Sequence, residues 1–91
     1  MKIPKKLKIG AHEFIVEEKE IEDKACGYTS FIKARITIDS RLPQTQKEST
    51  LIHEILHTLN TTLDDDRLGH SLLDSLAEQL YQVLKENKLL K

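Results

Sequence analysis

One cysteine, Cys26, is all the thiol this 91-residue chain carries, so no internal disulfide can form. Stability must come from packing, helped or not by a bound metal. Neither sign of charge is in excess. Fourteen Lys and Arg face fifteen Asp and Glu, a formal net charge of -1, which excludes both the basic footprint of a nucleic-acid binder and an acidic interaction tail. No apolar run approaches the roughly 20 residues of a membrane span. Internal repeats, low-complexity tracts and long linkers are also missing. What is present is 38% hydrophobic residues, enough to build the interior of one domain over residues 1–91. The basic start runs into Gly10-Ala11-His12-Glu13 and not into a continuous apolar segment, so the expectation is a cytoplasmic protein without a cleaved signal.

The periodicity changes near Leu42-Pro43. Before it, Leu7 and Ile9, then Phe14 and Val16, alternate with polar neighbours around Gly10-Ala11-His12, which predicts a β-hairpin. Glu17 to Lys24 is charge-dense with one apolar residue, Ile21, and reads as a solvated connection or a strand end. Tyr28 to Ile32 and Ala34 to Asp39 carry β-branched and aromatic residues at strand spacing, giving strands within about residues 6–39. After Pro43, Thr45-x-x-Glu48 reads as a capping box for a helix of about 46–60, with Leu51, Ile52, Ile55, Leu56 and Leu59 as its apolar stripe. Leu72, Leu73, Leu76, Ala77, Leu80, Val83 and Leu84 define a second helix over about 71–87. The expected fold is α+β: a small antiparallel sheet of three or four strands packed on two helices.

The sharpest signal is His53-Glu54-Ile55-Leu56-His57 in the middle of the first helix. A shuffled chain of this composition gives H-E-x-x-H about once in eighty, so chance alone is a poor account of it in a helix. Histidines four apart stand one turn apart on one face, and their nitrogens can converge on one Zn²⁺. Glu54 is then placed to act as general base on a metal-activated water. Two ligands do not hold a catalytic zinc, and a third comes from another element. His70, Asp74 and Glu78 are the candidates, with His70 and Asp74 both on the flank of the second stripe. Asp74 also closes Ser71-Leu-Leu-Asp74, which reads as a capping box, and His70 precedes that cap as a loop histidine. Geometry alone leaves these alternatives open.

Strands, then a helix with Leu51-Ile-His-Glu-Ile-Leu-His57, then a helix ending Leu80-Tyr-Gln-Val-Leu-Lys-Glu-Asn87, together resemble the small zinc peptidases of phages and prophages. These are similar to a stripped-down ImmA/IrrE-like or gluzincin peptidase domain. In that family the second helix carries an E-x-x-A-N arrangement whose acidic first member is the third ligand. Asp74, Ala77 and Glu78 stand at the matching positions. The resemblance therefore implies Asp74 as ligand and Glu78 as a group that orients a histidine. Asp is one methylene shorter than Glu and Glu78 replaces an amide, so His70 stays the substitute ligand. The resemblance also implies an extended peptide bound along a sheet edge, matched here to the strand Ala34 to Asp39.

The expected activity is hydrolysis of peptide bonds in a peptide or protein substrate, with Zn²⁺ held by His53, His57 and Asp74 and with Glu54 as base. No nucleic-acid or membrane partner is expected, and oligomeric state is not legible. Tyr81 is a candidate donor to an oxyanion, though a half-buried interfacial tyrosine is the plainer reading. Asp39 is a polar group still to be placed, Cys26 reads as a small buried hydrophobe away from the motif, and His12 as an exposed turn residue. These 91 residues have no room for the second subdomain that closes the cleft in larger peptidases. The alternative is thus a non-catalytic, zinc-stabilised protein-binding module, such as a phage accessory protein, in which the metal contributes folding free energy.

Overall fold

A computed structural model describes residues 2–61 and 69–87, with only the backbone of His70. Four strands precede two helices: β1 (Lys6–Ile9), β2 (His12–Lys19), β3 (Gly27–Ser30), β4 (Arg35–Asp39), α1 (Gln44–Thr61) and α2 (His70–Glu86). The α+β class and both helices are as expected. Residues 62–68 and 88–91, with Leu63 and Leu89-Leu90 among them, lie outside the described residues.

The first hairpin closes through Gly10-Ala11, with Ile9 opposite His12. Gly10 sits at φ 62, a left-handed conformation that glycine adopts without a Cβ clash. Sheet order is β1-β2-β4-β3, and the sheet is mixed: β2 and β4 run parallel, the other two pairs antiparallel. The expected all-antiparallel sheet is corrected at this one pair. A parallel pair ordinarily needs a helical crossover. Here β3 makes the return journey, because the chain leaves β2, passes over one strand position, runs back as β3 and then inserts β4 into the gap. β4 is therefore central and β3 lies at the sheet edge.

One face of the sheet presents Ile9, Phe14, Val16, Ile36 and Ile38, all buried, and α1 closes it with Leu51 and Ile55. At about 25 cal/mol per Å² of apolar surface, covering this face is the main stabilising contribution of α1. On the outer face polar side chains cover the central strand. Thr37 is 1% exposed and donates to Glu17, which also accepts from Arg35 at 2.9 Å. Asp39 takes the Arg41 guanidinium through both oxygens, and Arg41 continues to the Ile21 carbonyl. Those hydrogen bonds hold the Asp39 carboxyl well below the usual carboxylate range. Asp39 thus ties the sheet end to the segment holding Ile21, which is buried and not merely part of a solvated connection.

α2 does not share the sheet with α1. Among the described residues it packs on α1 alone, so the layers run sheet, α1, α2. The sheet's apolar face is small enough for one 18-residue helix to cover. Leu73 and Ala77 are the buried anchors of α2, whereas Leu72, Leu76 and Val83, expected to share that stripe, are exposed.

A second attachment between the helices is polar. Glu48, 1% exposed, accepts hydrogen bonds from Tyr81 Oη at 2.8 Å, Lys85 Nζ at 3.2 Å and Gln44 Nε2 at 3.2 Å. Burial alone would raise its pKa, but hydrogen bonds to the carboxylate, that from Tyr81 foremost, outweigh burial and hold it at about 2. Glu48 is therefore no capping residue. α1 already starts at Gln44, behind Pro43, whose carbonyl accepts from Lys47 N. No helix of the described residues is long and apolar enough to cross a membrane.

Candidate functional site

His53, Glu54 and His57 all lie on α1, and the helical pitch puts the two imidazoles one turn apart. Their rings stack at 20° with centroids 4.5 Å apart and close toward each other at the Nε2 ends, which are 2.6 Å apart. With the Nε2 ends facing each other, a single N–H can bridge them in one choice of tautomers. With both Nε2 atoms deprotonated, the same two nitrogens are close enough to serve one cation. Asp74 Oδ1 lies 2.9 Å from His53 Nε2 and is itself shielded from solvent. One ligand atom from each of His53, His57 and Asp74 falls within 4.8 Å of the others.

Asp74 lies on α2, which begins at His70, one residue before the expected start. Gly69 is the residue before the helix and makes no side-chain cap bond, so Asp74, the fifth helical residue, is not used as the predicted capping partner of Ser71. Glu78, one turn further along α2, lines the cleft beside the pair but does not belong to the cluster. The His70 side chain lies outside the described residues.

Glu54 is 8% exposed and looks toward the sheet edge, where Thr29 Oγ1 on β3 donates to its Oε1 at 2.6 Å. The sequence offers no signal for this contact, since a threonine in a strand is ordinary. Between β3 and α1 lies an open cleft of about 640 Å³, lined among others by Gly27, Thr29, His53, Glu54 and His57. Gly27 is required here: a Cβ would stand 2.8 Å from both the Thr37 carbonyl oxygen and Thr50 Cγ2. Close approach of β3 to α1 is what brings Thr29 within reach of Glu54.

The strand beside the cleft is β3, not the expected Ala34–Asp39 segment. β4 is hydrogen-bonded on both sides, to β2 and to β3, and has no edge to offer. The bond from Asp39 N to the Cys26 carbonyl fixes the alternation along β3. With Tyr28 opposite Thr37 and Ser30 opposite Arg35, those residues bond inward, and the backbone N–H and C=O of Gly27 and Thr29 face the edge that no other strand of the described residues pairs with.

One further expectation changes. Cys26 is exposed and lines the cleft, because the segment after β2 carries it back to the start of β3 beside α1. Tyr81 is the half-buried tyrosine between the helices that the plainer reading expects, and it is not at the site. Its hydroxyl is committed to Glu48, and burial together with that bond pushes its pKa up to about 12. His12 is exposed at the first position of β2, as expected. Comparison with protein-family models, characterised proteins and solved structures finds no match to this chain.

Proposed function

We propose that this chain is a zinc-dependent peptidase in which His53, His57 and Asp74 hold Zn²⁺ and Glu54 is the general base. One observation carries the reading: two imidazole nitrogens and a carboxylate oxygen converge within 4.8 Å on a cleft that also contains Glu54 and an open strand edge. The donor set fits, since two neutral imidazoles and one carboxylate are a common protein complement for zinc with a position left for water or substrate. When bound, the metal lowers the pKa of water toward about 7 and polarises a carbonyl oxygen.

The chain's own residues divide the remaining work. An extended peptide adds to β3 through the backbone groups of Gly27 and Thr29, which gives affinity with little sequence preference. Glu54 has Oε1 engaged by Thr29, so Oε2 receives a proton from the attacking water and returns it to the leaving nitrogen. His53 and His57 take part as neutral ligands, their rings fixed by α1. A near-neutral chain suits a peptide or protein substrate and not a nucleic acid, and the lone thiol suits a cytoplasmic setting.

Glu54→Gln is the direct test. Zinc content should stay near one per chain while cleavage of a quenched-fluorescent random peptide pool falls by about 10²- to 10⁴-fold. Asp74→Ala should lose zinc and His70→Ala should keep it. Wild-type protein that takes up no zinc would overturn the proposal. The alternative, a non-catalytic zinc-stabilised binding module, draws support from the exposed, uncharged ridge of Leu72, Leu76 and Val83 on α2. It predicts zinc binding equal in wild type and Glu54→Gln, with neither protein cleaving peptides.

A further inference from the structure

We infer that Thr29 is a positioning residue for Glu54, and that one residue thereby couples docking of the peptide to alignment of the base. This deepens the peptidase reading and rests on it.

Three observations meet at Thr29. Its hydroxyl donates to Glu54 Oε1 at 2.6 Å, a short bond of the charge-assisted kind. The register of β3 on β4 turns the Thr29 backbone N–H and C=O outward to the free edge, where a substrate strand would pair. The residue two before it, Gly27, has no space for a Cβ against Thr37 and Thr50, so β3 is pressed onto α1 at this level and the Thr29–Glu54 distance is set by packing on both sides.

Glu54 has three side-chain torsions, and a free glutamate samples many rotamers. The threonine bond selects one of them. With Oε1 engaged by Thr29, Oε2 is the oxygen left to act as base, and Glu54 lines the cleft between α1 and β3. A peptide paired to β3 is bonded to the backbone of Thr29, while the side chain of the same residue holds the base. Scissile bond and base are therefore placed from a common origin, which is how orientation lowers a barrier. Backbone pairing makes no use of the hydroxyl, so side-chain substitution separates the two roles.

Thr29→Val keeps the shape and strand preference while deleting the donor, and Thr29→Ser keeps the donor. In zinc-loaded protein assayed on the peptide pool, Thr29→Val should lower kcat about 10- to 100-fold with KM and zinc affinity within twofold of wild type, and Thr29→Ser should recover most of kcat. A second readout needs neither metal nor turnover. The side-chain carboxyl ¹³C resonance of Glu54, identified by its loss in Glu54→Gln, should move in metal-free Thr29→Val at constant pH and stay in place in Thr29→Ser. Wild-type kcat in Thr29→Val, or an unmoved resonance, would overturn the inference while leaving the peptidase reading intact. Zinc-loaded wild type that cleaves no peptide would overturn both. A fall in melting temperature shared by Val and Ser, with kcat lost in both, would assign Thr29 a merely structural role and overturn it as well.

Discussion

Acid titration of the metal-free protein beside its Glu48→Gln variant isolates the clamp between the helices. Glu48 is 1% exposed and accepts from Tyr81, Lys85 and Gln44. Its pKa is held at about 2 against an ordinary 4.5. A carboxyl whose folded pKa is depressed stabilises the fold above its unfolded pKa, and the benefit is lost as pH falls through the folded value. The window is therefore about pH 4.5 down to about 2. At about 1.36 kcal/mol per unit the benefit at neutral pH is about 3 kcal/mol. Lys85 is 44% exposed and its share is screened, and the Tyr81 hydroxyl is the foremost of the groups that oppose burial. Urea unfolding followed by far-ultraviolet circular dichroism measures it. Wild type should exceed Glu48→Gln by a margin that shrinks by about 3 kcal/mol across this window, while losses from the other carboxylates cancel in the difference. A margin that stays constant between neutral pH and pH 2 would refute the reasoning. The same bond has an alkaline signature. Tyr81 is raised to about 12, so its contribution is complete below about pH 10 and lost as pH rises through 12. Tyr81→Phe should abolish the alkaline loss and reduce the acid one, since both report one hydrogen bond and do not add.

Gly27→Ala should destabilise by about 1–3 kcal/mol in the same unfolding assay, because the new Cβ meets the Thr37 carbonyl and Thr50 at 2.8 Å; full stability would mean that β3 can lift from α1. On α2, Leu73→Ala should cost about 2–4 kcal/mol and Leu72→Ala less than about 0.5, since one is 2% and the other 55% exposed. Similar losses at both positions would place a partner on the outer ridge. Chelation of zinc-loaded protein should speed amide hydrogen exchange in α2 and leave β4 protected, because α2 packs on α1 alone and β4 lies at the centre of the sheet. Uniform loss of protection would show instead that the metal holds the whole fold together.

Local patterns in the chain anticipated the elements, but not the partners of their outer faces. Alternation at Leu7, Ile9, Phe14 and Val16 gives the first hairpin, and the helical spacing of Leu51, Ile52 and Ile55 gives α1 with the His53–His57 pair on it. Those signals are carried by neighbours in sequence. Whether β4 is central or at the edge depends on a crossover, which periodicity does not encode. A trace of it was nevertheless present: Ile36 and Ile38 are more apolar than anything in Gly27-Tyr28-Thr29-Ser30, and the richer strand took the centre. Glu48 offers a similar lesson. Standing three and four residues before Leu51 and Ile52, it lies on the buried stripe itself and not at a helix start. A carboxylate on that stripe needs donors, and Tyr81 with Lys85, one turn apart on α2, provides them. Asp74 sits seven residues before Tyr81, about 10 Å along the same helix and on nearly the same face. The clamp that retains α2 thus also sets where Asp74 meets His53. No local pattern marks Asp74 as the group beside His53, because the contacts between α1 and α2 place it there.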